Sequence, residues 1–265
     1  MSQSAQPDRR LIAVAAAAFV LTAGLHPSRA DAEPAFVQTF EEQTPGTIPA
    51  GWNVGWGDIG DDLCRVTNIR AVEGRQSMWL DRRHGTNHEP FKLTRTVPDI
   101  PDGWAEFSFC MFVDGKAADV SFTVEIGGTH PDQSAKVVVG LRGWGPDIYL
   151  YPNALSTWTE NWEAKTVMAS YEPHQWYRVT LYLPTRGGGQ KEGHGLVERA
   201  EKNGWKRVGS VRTIPCTPPK KQFEHLSVIV DQNKRDFELF FDEFSLVGRP
   251  DLPDLPEPSG AHSER

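Results

Sequence analysis

The sequence predicts an all-β fold, a two-sheet antiparallel β-sandwich of the jelly-roll type. Three observations carry that prediction. Short runs with alternating apolar residues recur along the chain, Gly/Pro-rich turns separate them, and no convincing long helix interrupts them. With 24 Gly and 20 Pro among 265 residues, turns are plentiful, while 38% hydrophobic and 10% aromatic content can fill one sandwich core. The sequence has no internal repeat.

The chain opens with Arg9-Arg10, the apolar run Leu11–Leu25 and then Ser28-Arg29-Ala30. A basic segment, an apolar stretch and small residues before a cleavage point read as a secretory signal peptide over residues 1–30, cleaved after Ala30 or Ala32. The run falls short of the ~20 apolar residues that span a bilayer, so no membrane anchor is expected. Export to the periplasm or the extracellular space follows. Asp8 is the acid of this segment and Arg9, Arg10 and Arg29 its bases, so the chain's net charge of −7 becomes −9 without it. That balance excludes nucleic acid and anionic membrane as the main partner. The remainder fits one sandwich domain over residues 35–248, a monomer, followed by a Pro-rich disordered tail over residues 249–265.

Taken in order, Ala35–Phe40 is a short apolar strand followed by Glu41-Glu42, and Thr44–Trp52 is turn-rich with no room for a helix. Cys64–Arg70 and Ser77–Asp81 are strands around the turn Glu73-Gly74-Arg75, and Phe91–Val97 lies between Pro90 and Pro98. Trp104–Val113 sets Ala105, Phe107, Phe109, Met111 and Val113 against Glu106, Ser108 and Cys110, and Val120–Ile126 alternates likewise. A period of two marks strands with one buried face. Ala135–Leu141, Asp147–Tyr151 and Lys165–Ala169 are shorter strands. Trp176–Leu183 sets Tyr177, Val179, Leu181 and Leu183 against Arg178, Thr180 and Tyr182. Leu196–Val211 admits a short helix closed by Asn203-Gly204 or a hairpin turning on that dipeptide; the strand-like Trp205–Val211 favours the hairpin. Phe223–Asp231 and Asp236–Val247 form a closing pair, with the last strand expected beside the first.

Three cysteines permit at most one internal disulfide. Cys110, in an apolar strand, is expected as a buried free thiol, which leaves Cys64–Cys216 as the pair; free thiols are the alternative. Asp242 and Glu243 are strand neighbours whose side chains are expected on opposite faces, so they cannot form the carboxyl pair that flanks a glycosidic bond. A lyase needs a His or Tyr base and a residue that neutralises the uronate. Arg82, Arg83, His84, Asn87 and His88 in one loop, and Arg178 with Tyr182 on one strand face, supply those types; a polar loop and a solvated face are the plainer reading. No Gly-x-Ser-x-Gly, dinucleotide fingerprint, phosphate loop or zinc spacing occurs. Nine tryptophans are present, with Trp52, Trp56, Trp144, Trp158 and Trp162 in loops and Trp79, Trp104 and Trp176 read as packing residues. Flat aromatic faces suit pyranose rings, so Trp144, Tyr149, Tyr151, Trp158 and Trp162 are the expected ligand-binding residues.

Phe40-Glu41, Gly51-Trp52, the segment Glu73–Leu80, the Trp-led strand Trp176–Tyr182 and the closing Phe240–Leu246 follow a known order. In this the chain resembles the carbohydrate-binding-module and concanavalin A-like (laminin-G-like) jelly rolls of bacterial exported proteins. The resemblance spans most of residues 36–248. It implies a structural Ca²⁺ held by Glu41 and Asp242 with backbone oxygens near Gly74–Ser77; adjacent first and last strands would bring the two carboxylates together, and a hard cation relieves their repulsion. The alternative is a hydrogen-bonded strand acid at Asp242 and a solvated Glu41. The expected function is a secreted, non-catalytic sandwich that binds polysaccharide or a cell-envelope glycan. A jelly-roll polysaccharide lyase or glycoside hydrolase is one alternative, and a structural or adhesion domain that recognises protein is another.

Overall fold

A computed structural model describes residues 34–57, 64–82, 90–116, 119–127, 137–142, 146–151, 165–185, 192–215, 223–230 and 237–255. All belong to the unit Ala32–Arg265. Among the described residues no helix is long and apolar enough to cross a membrane.

The described strands are β1 (Phe36–Gln38), β2 (Asn53–Trp56), β3 (Cys64–Thr67), β4 (Ser77–Asp81) and β5 (Phe91–Thr96). Next come β6 (Trp104–Asp114), β7 (Ser121–Gly127), β8 (Val137–Arg142), β9 (Asp147–Tyr151) and β10 (Thr166–Ser170). The last are β11 (Trp176–Pro184), β12 (Glu192–Glu201), β13 (Gly204–Pro215), β14 (His225–Val230) and β15 (Glu238–Arg249). They form two antiparallel sheets. The eight-stranded sheet runs β13-β12-β11-β6-β15-β4-β3 with β1 also on β15, and the seven-stranded sheet runs β10-β9-β8-β7-β14-β5-β2. The predicted jelly-roll β-sandwich is what the chain forms.

The alternation read from β6 and β11 holds residue by residue. Phe107, Phe109, Met111, Val113, Tyr177, Val179, Leu181 and Leu183 all join one buried cluster between the sheets. Phe122 of β7 meets Phe241 of β15 edge-on at 5.6 Å, which joins the two layers. Phe244 is the centre of the packing, with ring centroids of Trp52 at 5.4 Å and of Phe109 and Phe241 at 5.8 Å. Full burial of such a ring is worth about 2–3 kcal/mol. Trp52, expected among the loop aromatics, is therefore a core residue. The hairpin reading also holds: Glu201 pairs with Gly204 across the Lys202-Asn203 turn. Where β10 crosses β13, Gly209 lies so close to the Met168 carbonyl that a Cβ has no room.

Asn53–Trp56 forms a strand that the sequence reading left out. It is a short edge strand with all four residues exposed, so no buried face leaves an apolar period to read. Cys64 and Cys110 are buried free thiols. The expected Cys64–Cys216 bridge is thus corrected at Cys64, which faces the core from β3 in register with Leu80. Burial raises its thiol pKa and leaves it protonated. Cys216 lies outside the described residues.

The closing strand changes partner midway. Glu238–Phe241 pairs with β4, and Phe244–Leu246 pairs with β1, so the first strand does lie beside the last. Between the two stretches β15 carries a bulge, marked by a register shift between Asp242 and Ser245 opposite β6.

Candidate functional site

Register alone lays out the solvent side of the eight-stranded sheet as rows that cross the strands. Cross-strand neighbours on one face stand about 4.5–5.5 Å apart at Cβ. The first row is Arg65, Trp79, Phe240, Phe112 and Trp176. The second is Asp242, Cys110, Arg178, Glu198 and Arg207. The third is Ser245, Ser108, Thr180, Leu196 and Ser210. The fourth is Val247, Glu106, Tyr182 and His194.

The aromatic row is a satellite cluster outside the main core. Trp79, Phe112 and Phe240 are buried with Trp176 packed against them, and Trp79 donates its indole N–H to Glu238 at 3.0 Å. The guanidinium of Arg65 sits 4.1 Å from the Trp79 centroid, and that of Arg70 sits 3.9 Å from Phe112. Cation–π contact holds both guanidinium groups over apolar rings. Trp79 and Trp176, read as packing residues, do pack, but on the outward face.

The charged row departs from the alternation expected at Asp242-Glu243. Glu243 lies in the left-handed region, with φ +50°, within the bulge. An extra residue in one strand turns the following side chain back to the same face. Asp242 and Glu243 therefore both face outward, not to opposite sides. Glu243 accepts from Arg178 Nη2 at 3.2 Å and from the Cys110 thiol at 3.3 Å. Arg178 in turn stacks on Trp205, 4.2 Å from its centroid. The Cys110 thiol pKa is raised, first by burial and then by the charge of Glu243. A protonated thiol of this kind is no nucleophile.

On β15, β6 and β11 the third row carries small side chains. Ser108 and Ser245 exchange a hydroxyl hydrogen bond at 2.8 Å, and Thr180 is buried beside them. In the fourth row Arg249 is paired with Glu106. Tyr182 stands between Glu106 on β6 and His194 on β12. Burial first, then the charge of Glu106, pushes its phenol up to about 12. His194 Nδ1 contacts the Arg212 carbonyl. A carbonyl oxygen only accepts, so Nδ1 is the donor in this contact.

Glu41 and Asp242 converge on one turn. Glu41 Oε1 accepts the backbone N–H of Arg75 at 2.9 Å and of Gln76 at 2.8 Å. Asp242 accepts from Val72 at 3.2 Å and from its own neighbour Glu243 at 2.9 Å. Gly74, at φ +63°, presses against the Glu41 carboxylate so closely that a Cβ would lie 2.5 Å from it. Calcium takes six to eight oxygens. The groups that meet these two carboxylates are N–H donors, and no cluster of three or more His, Cys, Asp or Glu able to hold a metal occurs among the described residues. As folded, Glu41 and Asp242 clamp the turn by hydrogen bonds, at the place where β15 changes partner.

Of the expected ligand-binding residues, Trp144, Trp158 and Trp162 lie outside the described residues. Tyr149 and Tyr151 are on β9, on the outward face of the other sheet, 5% and 3% exposed. Their rings are 6.4 Å apart, and Lys165 Nζ sits 4.6 Å from the Tyr149 centroid. Of the lyase set, Arg82, Arg178 and Tyr182 fall among the described residues. The Arg82 guanidinium lies over the core ring of Phe91 at 5.6 Å, whereas Arg178 and Tyr182 face outward; His84, Asn87 and His88 lie outside the described residues. His194 and Trp205 were missed by the sequence reading. The signal for them was the Asn203-Gly204 hairpin, which fixes their strands beside β11.

No protein-family model matches this chain, and no curated protein does. Solved structures do. The marine PL-14 alginate lyase from Aplysia kurodai superposes with a TM-score of 0.54 at 8% identity, over 82% of this chain and 100% of that one. A carbohydrate esterase from Shiga toxin-encoding bacteriophage phi24B gives 0.49 at 10%, over 82% of this chain and 100% of that one. An alginate lyase from Chlorella virus gives 0.42 at 16%, over 70% and 89%. The likeness to the Aplysia enzyme is one of fold.

Proposed function

We propose that this protein is an exported, non-catalytic polysaccharide-binding sandwich, and that the outward face of its eight-stranded sheet receives the chain. The observation that carries the reading is the hydroxyl row Ser245–Ser108–Thr180, which runs between two rows of long polar side chains. Small side chains between tall ones leave a shallow trough across the strands, lined with groups that both donate and accept. Half-buried Tyr182 flanks it, half-buried Trp205 lies against Arg178 of the charged row, and such rings offer apolar faces to sugars while their polar neighbours orient the hydroxyls. From Arg178 to Tyr182 the face extends about 13 Å at a rise near 3.3 Å per residue, room for more than one sugar ring. That the Aplysia neighbour is an alginate lyase supports a carbohydrate-directed use of the fold.

A second reading is a lyase or hydrolase on the same face. What favours it is the placement of Tyr182 next to His194, with Arg249 and Glu106 close by. His194 Nε2 would accept a proton, and a phenol whose pKa is raised to about 12 would donate one. Affinity electrophoresis against a panel of polysaccharides, followed by analysis of the polymers for shortened or unsaturated products, separates the two. Binding without products supports the module; products establish the enzyme. Trp205→Ala is expected to weaken binding roughly tenfold, about 1.4 kcal/mol, and unchanged binding would move the site off this face.

A further inference from the structure

Resting on the glycan-binding reading above, we infer that the polymer taken by this face is an uncharged, hydroxyl-rich polysaccharide, and that uronate- or sulfate-bearing polymers are refused. The argument is one of commitment. Each arginine of the face already has a partner. Arg178 is paired with Glu243 at 3.2 Å and stacked on Trp205 at 4.2 Å. Arg249 is paired with Glu106, Arg65 lies on Trp79, and Arg70 lies on Phe112 and Phe240. Arg207 is engaged as well.

An anionic sugar needs a cation to receive it. In the trough along Ser245, Ser108 and Thr180, a carboxylate or sulfate would have to draw Arg178 or Arg249 away from its acid, and the abandoned Glu243 or Glu106 would then stand beside a second anion. Like charges brought together at an interface cost several kcal/mol. The chain's net charge of −7 repels a polyanion from further away. A hydroxyl meets no such obstacle. A paired guanidinium has five N–H donors and keeps some of them, a paired carboxylate keeps lone pairs, and Ser108, Ser245 and Thr180 add groups that do both. The same ion pairs that exclude a uronate thus present the alternating donors and acceptors that vicinal hydroxyls use. This chain would differ in that respect from its alginate-cleaving structural neighbour, and the lyase reading, which requires a uronate, would fall with it.

Binding of the full-length protein to neutral polymers (a mixed-linkage glucan, a galactomannan, a xylan) and to anionic ones (alginate, polygalacturonate, a sulfated galactan) is measured at low and at physiological salt. Retention by a neutral polymer with no salt dependence, and none by the polyanions, is the expected result. Tighter binding to a polyanion, weakened by salt, overturns the inference while leaving a glycan-binding protein. Binding to no polymer of either class overturns the glycan reading and the inference together. Glu243→Gln, which releases Arg178, is expected to raise affinity for polygalacturonate roughly tenfold, the scale of one charge-assisted contact. No gain in this variant, with folding intact by circular dichroism, shows that pairing is not what excludes the anion.

Discussion

Replacing Asp242 by asparagine separates the hydrogen-bonded clamp from a metal-held one. Asp242 is 1% exposed, and burial, ahead of every other cause, pushes its carboxyl from the ordinary 3.8 up to about 7. The N–H donors of Glu243, Val72 and Glu73 pull it back down, and the charge of Glu243 adds to the rise. The folded chain therefore keeps a proton that the unfolded chain releases near pH 4. The stability this group contributes is fully present below 3.8 and is lost as pH rises through about 7. At about 1.4 kcal/mol per pH unit, the interval from 3.8 to about 7 corresponds to about 4 kcal/mol. Asparagine never ionises, but it turns an NH₂ toward one of the N–H donors, at a cost of about 1–3 kcal/mol at every pH. Against the wild type, Asp242→Asn should thus be less stable by that amount near pH 4 and equal or more stable near pH 8, a swing of about 4 kcal/mol. Urea unfolding of both proteins at the two pH values measures it. A constant gap would refute the reasoning, because it would mean that Asp242 is ionised in the fold throughout, as a bound cation would make it.

Three further outcomes concern the same region. Glu41→Ala removes the carboxylate oxygen that accepts both the Arg75 and Gln76 N–H groups and should cost about 1–2 kcal/mol, since the Arg75 N–H can turn to water; EGTA should leave the thermal midpoint of wild type unchanged, and a fall on chelation confined to the wild type would show a cation in the clamp. Glu243→Gly should be about 1 kcal/mol more stable than Glu243→Ala, because a left-handed backbone at φ +50° strains any residue with a Cβ. Equal denaturant midpoints for the two would mean that the bulge relaxes without strain.

The readable parts of this chain are those where a side-chain period met a single buried face. β6 and β11 display their inward Phe107, Phe109, Val179 and Leu181 in the sequence itself, and both strands fell where the alternation put them. The adjacency of first and last strands was legible from the resemblance, and β1 does pair with β15. β2 was not legible, because an exposed edge strand has no apolar period to show. Glu243 was misread for a related reason. Alternation assumes an unbroken ladder, and nothing local in Phe241-Asp242-Glu243-Phe244 announces the bulge that the change of partner from β4 to β1 imposes.

The sequence by itself determined the class of fold, the inward faces of the long strands and the hairpin at Asn203-Gly204, since each depends on residues close along the chain. Only the tertiary structure decided what stands next to what on the outward face. Ser245 meets Ser108 and Arg178 meets Glu243 across strands that are far apart in sequence, while Arg178 meets Trp205 and Tyr182 meets His194 within the run β11–β13. Register across a sheet depends on the whole set of ladders, and a shift of one residue would send every one of these side chains to the other face. For the same reason the role of Glu41 and Asp242 as acceptors for the turn's N–H groups became visible only once the turn and both strands were in place.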